Sequence, residues 1–121
     1  MQKILDLLNE IEAEKGYPNF LQGSLSDENY PDSFFTYWNI DTPNDSFYDN
    51  AERRYISYVQ ICWYTNNPKL LYLQLDEDGE FYKKAKQRGF VFVGRAKGAN
   101  ADKKNYSGRV LYIKIIHKTE D

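Results

Sequence analysis

In the first sixteen residues, apolar side chains recur at the spacing that places them on one face of a helix. Ile4, Leu8 and Ile11 recur every three or four residues, and acidic and amide side chains fill the positions between them. Gly16 follows the last periodic position, where a helix commonly ends. The pattern therefore predicts an amphipathic helix over residues 2–15, and we expect it to lie on a sheet.

The strongest strand pattern lies at residues 53–65, where apolar side chains occupy both alternating faces. One face carries Val59, Ile61 and Trp63, and the other carries Ile56, Tyr58, Cys62 and Tyr64. Such a strand is either covered on both sides or has one face in the core and the other in an oligomer interface. Before it, an aromatic and β-branched run within a polar stretch predicts a strand over residues 33–39.

The remaining pattern predicts a helix followed by a hairpin. Acidic residues stand at the start of residues 77–88 and basic residues near their end, an order that suits the helix dipole and predicts a helix there. Strands are predicted at 90–93 and 109–118, with a polar loop over 96–108. We predict an α+β fold: a mostly antiparallel β-sheet, an N-terminal helix and a second helix before the last two strands. A length of 121 residues makes 1–121 a single domain.

Composition indicates that aromatic side chains build much of the core. The mean hydropathy is −0.76, yet the chain has eleven Tyr, seven Phe and two Trp.

No apolar run approaches the length of about 18 residues that a membrane span needs, and charges interrupt the N-terminal apolar stretch. We therefore expect a soluble intracellular chain, and the single Cys62 suits a reducing compartment.

Charge is unevenly distributed along the sequence. Residues 1–82 hold fifteen acidic and five basic side chains, whereas residues 83–121 hold three acidic and eleven basic ones. One interpretation is a nucleic-acid surface in the C-terminal third, and another is contact between the acidic part of one subunit and the basic part of the next. A third is that the fold interleaves the two halves, so that their charges cancel.

The residues that usually carry catalysis have structural interpretations here. His117, the single histidine, stands on the same strand face as the apolar residues of the last strand, which indicates a residue at the rim of the core. Cys62 lies inside an apolar strand, where a thiol packs as a small hydrophobe. The glycines at 89, 94 and 98 precede no helix, so they form no phosphate-binding turn. We predict that the chain is not an enzyme and needs no cofactor.

The acidic run Asp76-Glu77-Asp78-Gly79-Glu80 has two interpretations. Its first residues resemble the opening of a cation-binding loop, but the spaced ligands and closing glutamate of an EF-hand do not follow. The favoured interpretation is a helix N-terminus, with a weak divalent-ion site at Asp76 and Asp78 as the alternative.

Several short motifs in the sequence resemble a small structural protein family of long-tailed phages and prophages. The motif residues are Tyr30, Pro31, Phe34, Trp38, Tyr48, Asp49, Pro68, Gly89, Phe90 and Gly108. The resemblance spans residues 28–117. It is to minor tail proteins of the tail-completion type, also described as tail-terminator or head-tail joining proteins.

The resemblance implies a ring, commonly a hexamer, that caps the tail tube and contacts the tube protein and the head-tail connector. It places the protein in the virion tail, and in the host cytoplasm during assembly, with DNA met only as it passes through the ring. The charge pattern adds candidate interface residues: Asp76, Glu77, Asp78, Lys97, Lys103, Lys104 and Arg109. The alternative function is a small nucleic-acid-binding module that uses the basic C-terminal third.

Overall fold

The computed structural model describes residues 2–24, 30–41, 54–101 and 103–118, with residues 41, 54, 55, 117 and 118 described by their backbone alone. In chain order the elements are α1 (Gln2–Lys15), β1 (Asn19–Leu21), β2 (Ser33–Asp41), β3 (Arg54–Thr65), a 3-10 turn (Pro68–Leu70), α2 (Glu80–Gln87), β4 (Val91–Ala99) and β5 (Ser107–Lys118). Two of the motif residues, Tyr48 and Asp49, and the side chain of His117 lie outside this description.

The five strands form one sheet in the order β1-β2-β3-β5-β4. β1 runs parallel to β2, and the other neighbours are antiparallel. β3 is the middle strand and pairs along its whole length with β5, from Arg54 opposite Lys118 to Thr65 opposite Ser107. The predicted α+β fold, with one helix at the N-terminus and another before the last two strands, is confirmed.

Both helices pack on the same face of the sheet, which we call the covered face. Its fully buried side chains include Phe35 from β2, Val59, Ile61 and Trp63 from β3, Leu111 and Ile113 from β5, and Ile4, Leu7, Leu8, Ile11, Phe81 and Ala85 from the helices. Trp63 also donates its indole N–H to the carbonyl of Leu70 at 3.1 Å, so the largest core side chain has its polar atom satisfied.

The second helix begins later than the sequence predicts, at Glu80 rather than about residue 77. Carbonyls of the preceding loop accept the first helical N–H groups: Glu80 N–H donates to Leu73 at 2.8 Å and Tyr82 N–H to Gln74 at 3.0 Å. A Cβ on Gly79 would lie 2.4 Å from the Gln74 carbonyl oxygen, so this close approach requires glycine. Backbone groups, rather than the acidic side chains, therefore define the helix start.

The predicted loop over residues 96–108 is too long. β4 continues to Ala99 and β5 begins at Ser107. The register shifts between Val93 and Lys97, and Gly94 there has a φ of +74° that favours glycine. Because of this interruption, the alternation of apolar and polar residues does not show that the strand continues.

The sequence does not predict β1, because a strand of three residues is too short to display alternation.

We predict that replacing side chains on the two faces of β3 costs very different amounts of stability. Trp63→Ala should lower the free energy of unfolding by about 3 to 5 kcal/mol, because it removes a large, fully buried side chain. Cys62→Ala should lower it by about 1 kcal/mol, since only a sulfur atom is lost. Urea unfolding monitored by circular dichroism measures both, and equal losses would contradict this account of the core.

Candidate functional site: the open face of the sheet

The face opposite the helices, which we call the open face, is also apolar. Four of its side chains, Trp38, Val91, Val93 and Ile116, are each between 44% and 50% exposed. They come from β2, β4 and β5, so the exposed apolar surface extends across the sheet. Surface of this kind is typical of a protein contact.

Aromatic rings cluster at the end of the open face where β3 finishes. Tyr30 stands edge-on to Phe34 at 5.4 Å between centroids and to Tyr106 at 5.8 Å, and Phe34 lies 5.4 Å from Tyr64. The Tyr106 hydroxyl donates to the carbonyl of Pro31 at 2.8 Å, which joins the loop before β5 to the segment before β2. These contacts fix the rings relative to one another.

Gly108 allows this cluster to close against β5. A Cβ at this position would lie 2.6 Å from the ring of Tyr64 on the neighbouring strand. The fold thus brings together four of the motif residues identified in the sequence, Tyr30, Pro31, Phe34 and Gly108, and places a fifth, Trp38, on the same face.

The other described motif residues serve the helix side of the molecule. Pro68 starts the 3-10 turn. Gly89 ends α2 with a φ of +83°, and Phe90 N–H then donates to the carbonyl of Ala85 at 3.0 Å. These residues define turns, and they do not belong to the aromatic cluster.

A groove of about 580 Å³ crosses the open face beside the aromatic cluster. Its lining comes from β2, β3, β4 and β5 and from the segments next to the strands: Gln22, Gly23, Tyr30, Phe34, Thr36, Gln60, Cys62, Tyr64, Ala99, Asn100, Ala101, Tyr106 and Val110. None of these thirteen side chains is charged. Cys62 is only 2% exposed at its floor, and Gln60 Nε2 donates to its sulfur at 3.4 Å. Sequence reasoning missed the groove, because its lining is contiguous only in the folded chain.

The two oppositely charged parts of the sequence meet between the helices. Lys84 on α2 donates to Glu14 on α1 at 2.7 Å, and Arg88 pairs with Glu10. The hydrogen bond from Lys84 and its charge hold the pKa of Glu14 below the ordinary glutamate value, and the same contact raises the pKa of Lys84. The stabilisation linked to Glu14 is present at neutral pH and is lost as the pH falls through its lowered pKa. That linked to Lys84 is lost only as the pH rises through its raised pKa.

A second pair between the two parts fixes the loop before α2. Arg109 donates to both carboxylate oxygens of Asp76, at 2.9 and 2.6 Å, and also to the carbonyl of Ala96 at 3.1 Å. Both charged side chains are less than a quarter exposed. The third interpretation of the charge pattern, internal cancellation, therefore applies to these residues. Both carboxylate oxygens of Asp76 therefore accept hydrogen bonds from a cation of the same chain. Among the described residues there is no group of three potential metal ligands.

The three lysines predicted at an interface lie near the groove or on its face. Lys103 places its ammonium 5.1 Å from the centre of the Tyr30 ring. Lys97 is opposite Val110 in the β4–β5 register, so its side chain shares the open face, and Lys104 is exposed in the loop before β5. Glu77 and Asp78 are exposed on the covered side, next to the Asp76–Arg109 pair.

Comparison with known proteins does not extend the sequence motif. No protein-family model matches the chain, and no curated protein matches it significantly. The resemblance to tail proteins accordingly depends on the motif residues themselves.

Neither helix in the described parts of the chain combines the length and apolar character that crossing a bilayer requires.

We predict that Asp76→Asn lowers the free energy of unfolding by about 2 kcal/mol, because a partly buried, bidentate pair is lost and Arg109 keeps its charge. Glu77→Gln is the matched control: the side chain is exposed and adjacent, and its loss should change stability by less than about 0.5 kcal/mol. Thermal and urea unfolding of both variants measure the difference. Equal effects would show that the pair contributes nothing to the fold.

Proposed function

We propose that the chain is a non-enzymatic structural protein that assembles through the open face of its sheet. The resemblance of the sequence motif to tail-completion proteins supports an assembly at the head-proximal end of a phage tail, as a ring, of hexameric type, that ends the tail tube and receives the head. Its partners in this proposal are further copies of the chain, the tube protein and the head-tail connector. No membrane contact is part of the proposal, and DNA is met only as it passes through the ring.

The observation that carries the proposal is the location of the motif in the fold. Tyr30, Phe34 and Gly108 come together, and Trp38 also lies, on the face that neither described helix covers. The contacts among Tyr30, Phe34 and Gly108 are aromatic and apolar, and Trp38 is half-exposed further along β2 on the same face. Aromatic side chains at the centre of an apolar patch are the usual anchors of protein interfaces.

Such an assembly would act by controlling polymerisation. A tube grows because each layer offers the surface on which the next layer assembles. A closed ring added to the last layer replaces that surface with a different one, to which the connector binds. The chain needs no reactive group for this task, only two surfaces that recognise different neighbours.

We predict that purified protein is largely monomeric at low concentration and forms rings when added to purified phage tail tubes. Trp38→Ser should reduce tube capping at least tenfold, because it removes an exposed anchor from the open face. Leu21→Ser is the matched control, since Leu21 is similarly exposed, at 47%, but points to the other side of the sheet. Electron microscopy counts capped tube ends. Equal capping by both variants would remove the open face from the proposal.

We also predict that reversing Lys103 and Lys104 to Glu weakens capping and leaves the thermal midpoint nearly unchanged. Exposed loop charges usually change stability by less than about 0.5 kcal/mol, whereas like charges facing each other across an interface can cost several. The control reverses Lys3 and Lys15, which are exposed on α1. Normal capping by the first double variant would exclude the basic loop from the contact.

One observation favours the nucleic-acid-binding module as a second candidate. Among the described strand side chains on the open face the charged ones, Lys97 and Lys114, are basic, and exposed Trp38 offers a ring for base stacking. Titration with single-stranded oligonucleotides, followed by tryptophan fluorescence, decides between the candidates. Binding that falls steeply with salt would favour this module over the structural protein.

A further inference from the structure

We infer that copies of this chain associate head to tail, with a loop on the covered side of one copy inserted into the groove on the open face of the next. The loop, which we call the knob, comprises Tyr72, Leu73, Glu77 and Asp78. The inference rests on the proposed function and deepens it, because it names the two surfaces that would join neighbouring subunits.

The knob is the most exposed apolar feature of the described chain. Tyr72 is 56% exposed and Leu73 is 52% exposed. Arg109 holds the tyrosine in place, with its guanidinium carbon 5.0 Å from the centre of the ring, and Asp76 in turn fixes Arg109 through two hydrogen bonds. An exposed aromatic side chain on a rigid support loses little conformational freedom on binding, which favours its use as an anchor.

The groove has the chemistry that such an anchor needs. Its walls are the rings of Tyr30, Phe34, Tyr64 and Tyr106, and Cys62 and Val110 form part of its apolar floor. A volume of about 580 Å³ is within the range of sites that enclose small ligands and inserted side chains. The amides of Gln22, Gln60 and Asn100 add hydrogen-bonding groups that suit a tyrosine hydroxyl or a peptide backbone.

Charge distinguishes the knob from other apolar occupants. Exposed Glu77 and Asp78 stand beside its apolar residues, although Arg95 also borders this cluster. The described residues that line the groove are uncharged, and Lys103 lies at its aromatic wall and Lys97 on the same face. Insertion of the knob would bring its carboxylates toward these lysines, so the two surfaces match in both polarity and sign.

The two surfaces lie on opposite sides of one sheet. The knob contacts Arg109, whose side chain lies with the helices, whereas the groove lies over Cys62 and Val110 on the open face. A contact between different patches cannot be satisfied by a twofold dimer in which both copies use the same patch. It leaves one free knob and one free groove, so association continues beyond the dimer, and it ends in a ring when the rotation between neighbours closes.

Sedimentation equilibrium up to about 1 mM subunit tests the inference, since this range detects even weak association. The wild-type chain should self-associate. Leu73→Ser, which changes the knob, and Ala101→Asp, which puts an acidic group into the groove lining, should each weaken association at least tenfold. The matched controls Leu21→Ser and Ala13→Asp carry the same substitutions at exposed positions outside both surfaces, and should associate like the wild type.

Mixing the two interface variants gives the sharper test. The Leu73→Ser chain retains an intact groove and the Ala101→Asp chain an intact knob, so the mixture should form 1:1 dimers and nothing larger. Failure of the mixture to dimerise, normal association of either single variant, or a wild-type chain that stays monomeric would each overturn the inference. Tube capping is measured separately. If both variants cap tubes like the wild type, the proposed function holds and this interface is not needed for it. If the wild-type chain self-associates through these surfaces but does not cap tubes, the interface holds and the proposed function is wrong.

Discussion

The organisation of this protein depends on one constraint: its central strand is apolar on both faces, and both described helices pack on the same one. Burial of Trp63, Val59 and Ile61 beneath α1 and α2 supplies the core. On the reverse side of β3, Cys62 is buried, whereas Ile56, Tyr58 and Tyr64 are only half-buried. The same strand therefore holds the fold together and presents the surface that we propose for assembly.

Residues with strong periodicity could be assigned from sequence, and residues placed by turns could not. The alternation of β3 and the helical spacing of α1 identified both elements nearly to the residue. The predicted start of α2 is too early, because the carbonyls of Leu73 and Gln74 accept the first helical N–H groups, and a backbone carbonyl leaves no signature in the sequence. The predicted strand at 90–93 is too short, because Gly94 and Lys97 resemble loop residues in the sequence. In the structure β4 resumes after a shift in register and continues to Ala99.

The candidate site was predictable only in its components. The motif containing Tyr30, Phe34 and Trp38 was visible in the sequence, but their common face follows from the pairing of β2 with β3. Asp76 and Arg109 are both candidate interface residues from the sequence, and the fold shows in addition that they pair with each other. Charge segregation along a chain thus has two outcomes in one molecule: internal ion pairs on the covered side, and lysines left at the open face.

The shift in register between Val93 and Lys97 lies on the outermost strand of the sheet, at the end of the order opposite β1. A regular edge strand offers a continuous row of backbone groups to any other strand, which is the common route to uncontrolled aggregation. An interruption in that row shortens the template on either side of it, and Arg95 adds a charge there. A chain that exposes so much apolar sheet surface is in this way discouraged from joining its copies edge to edge, and its contacts are directed to its faces.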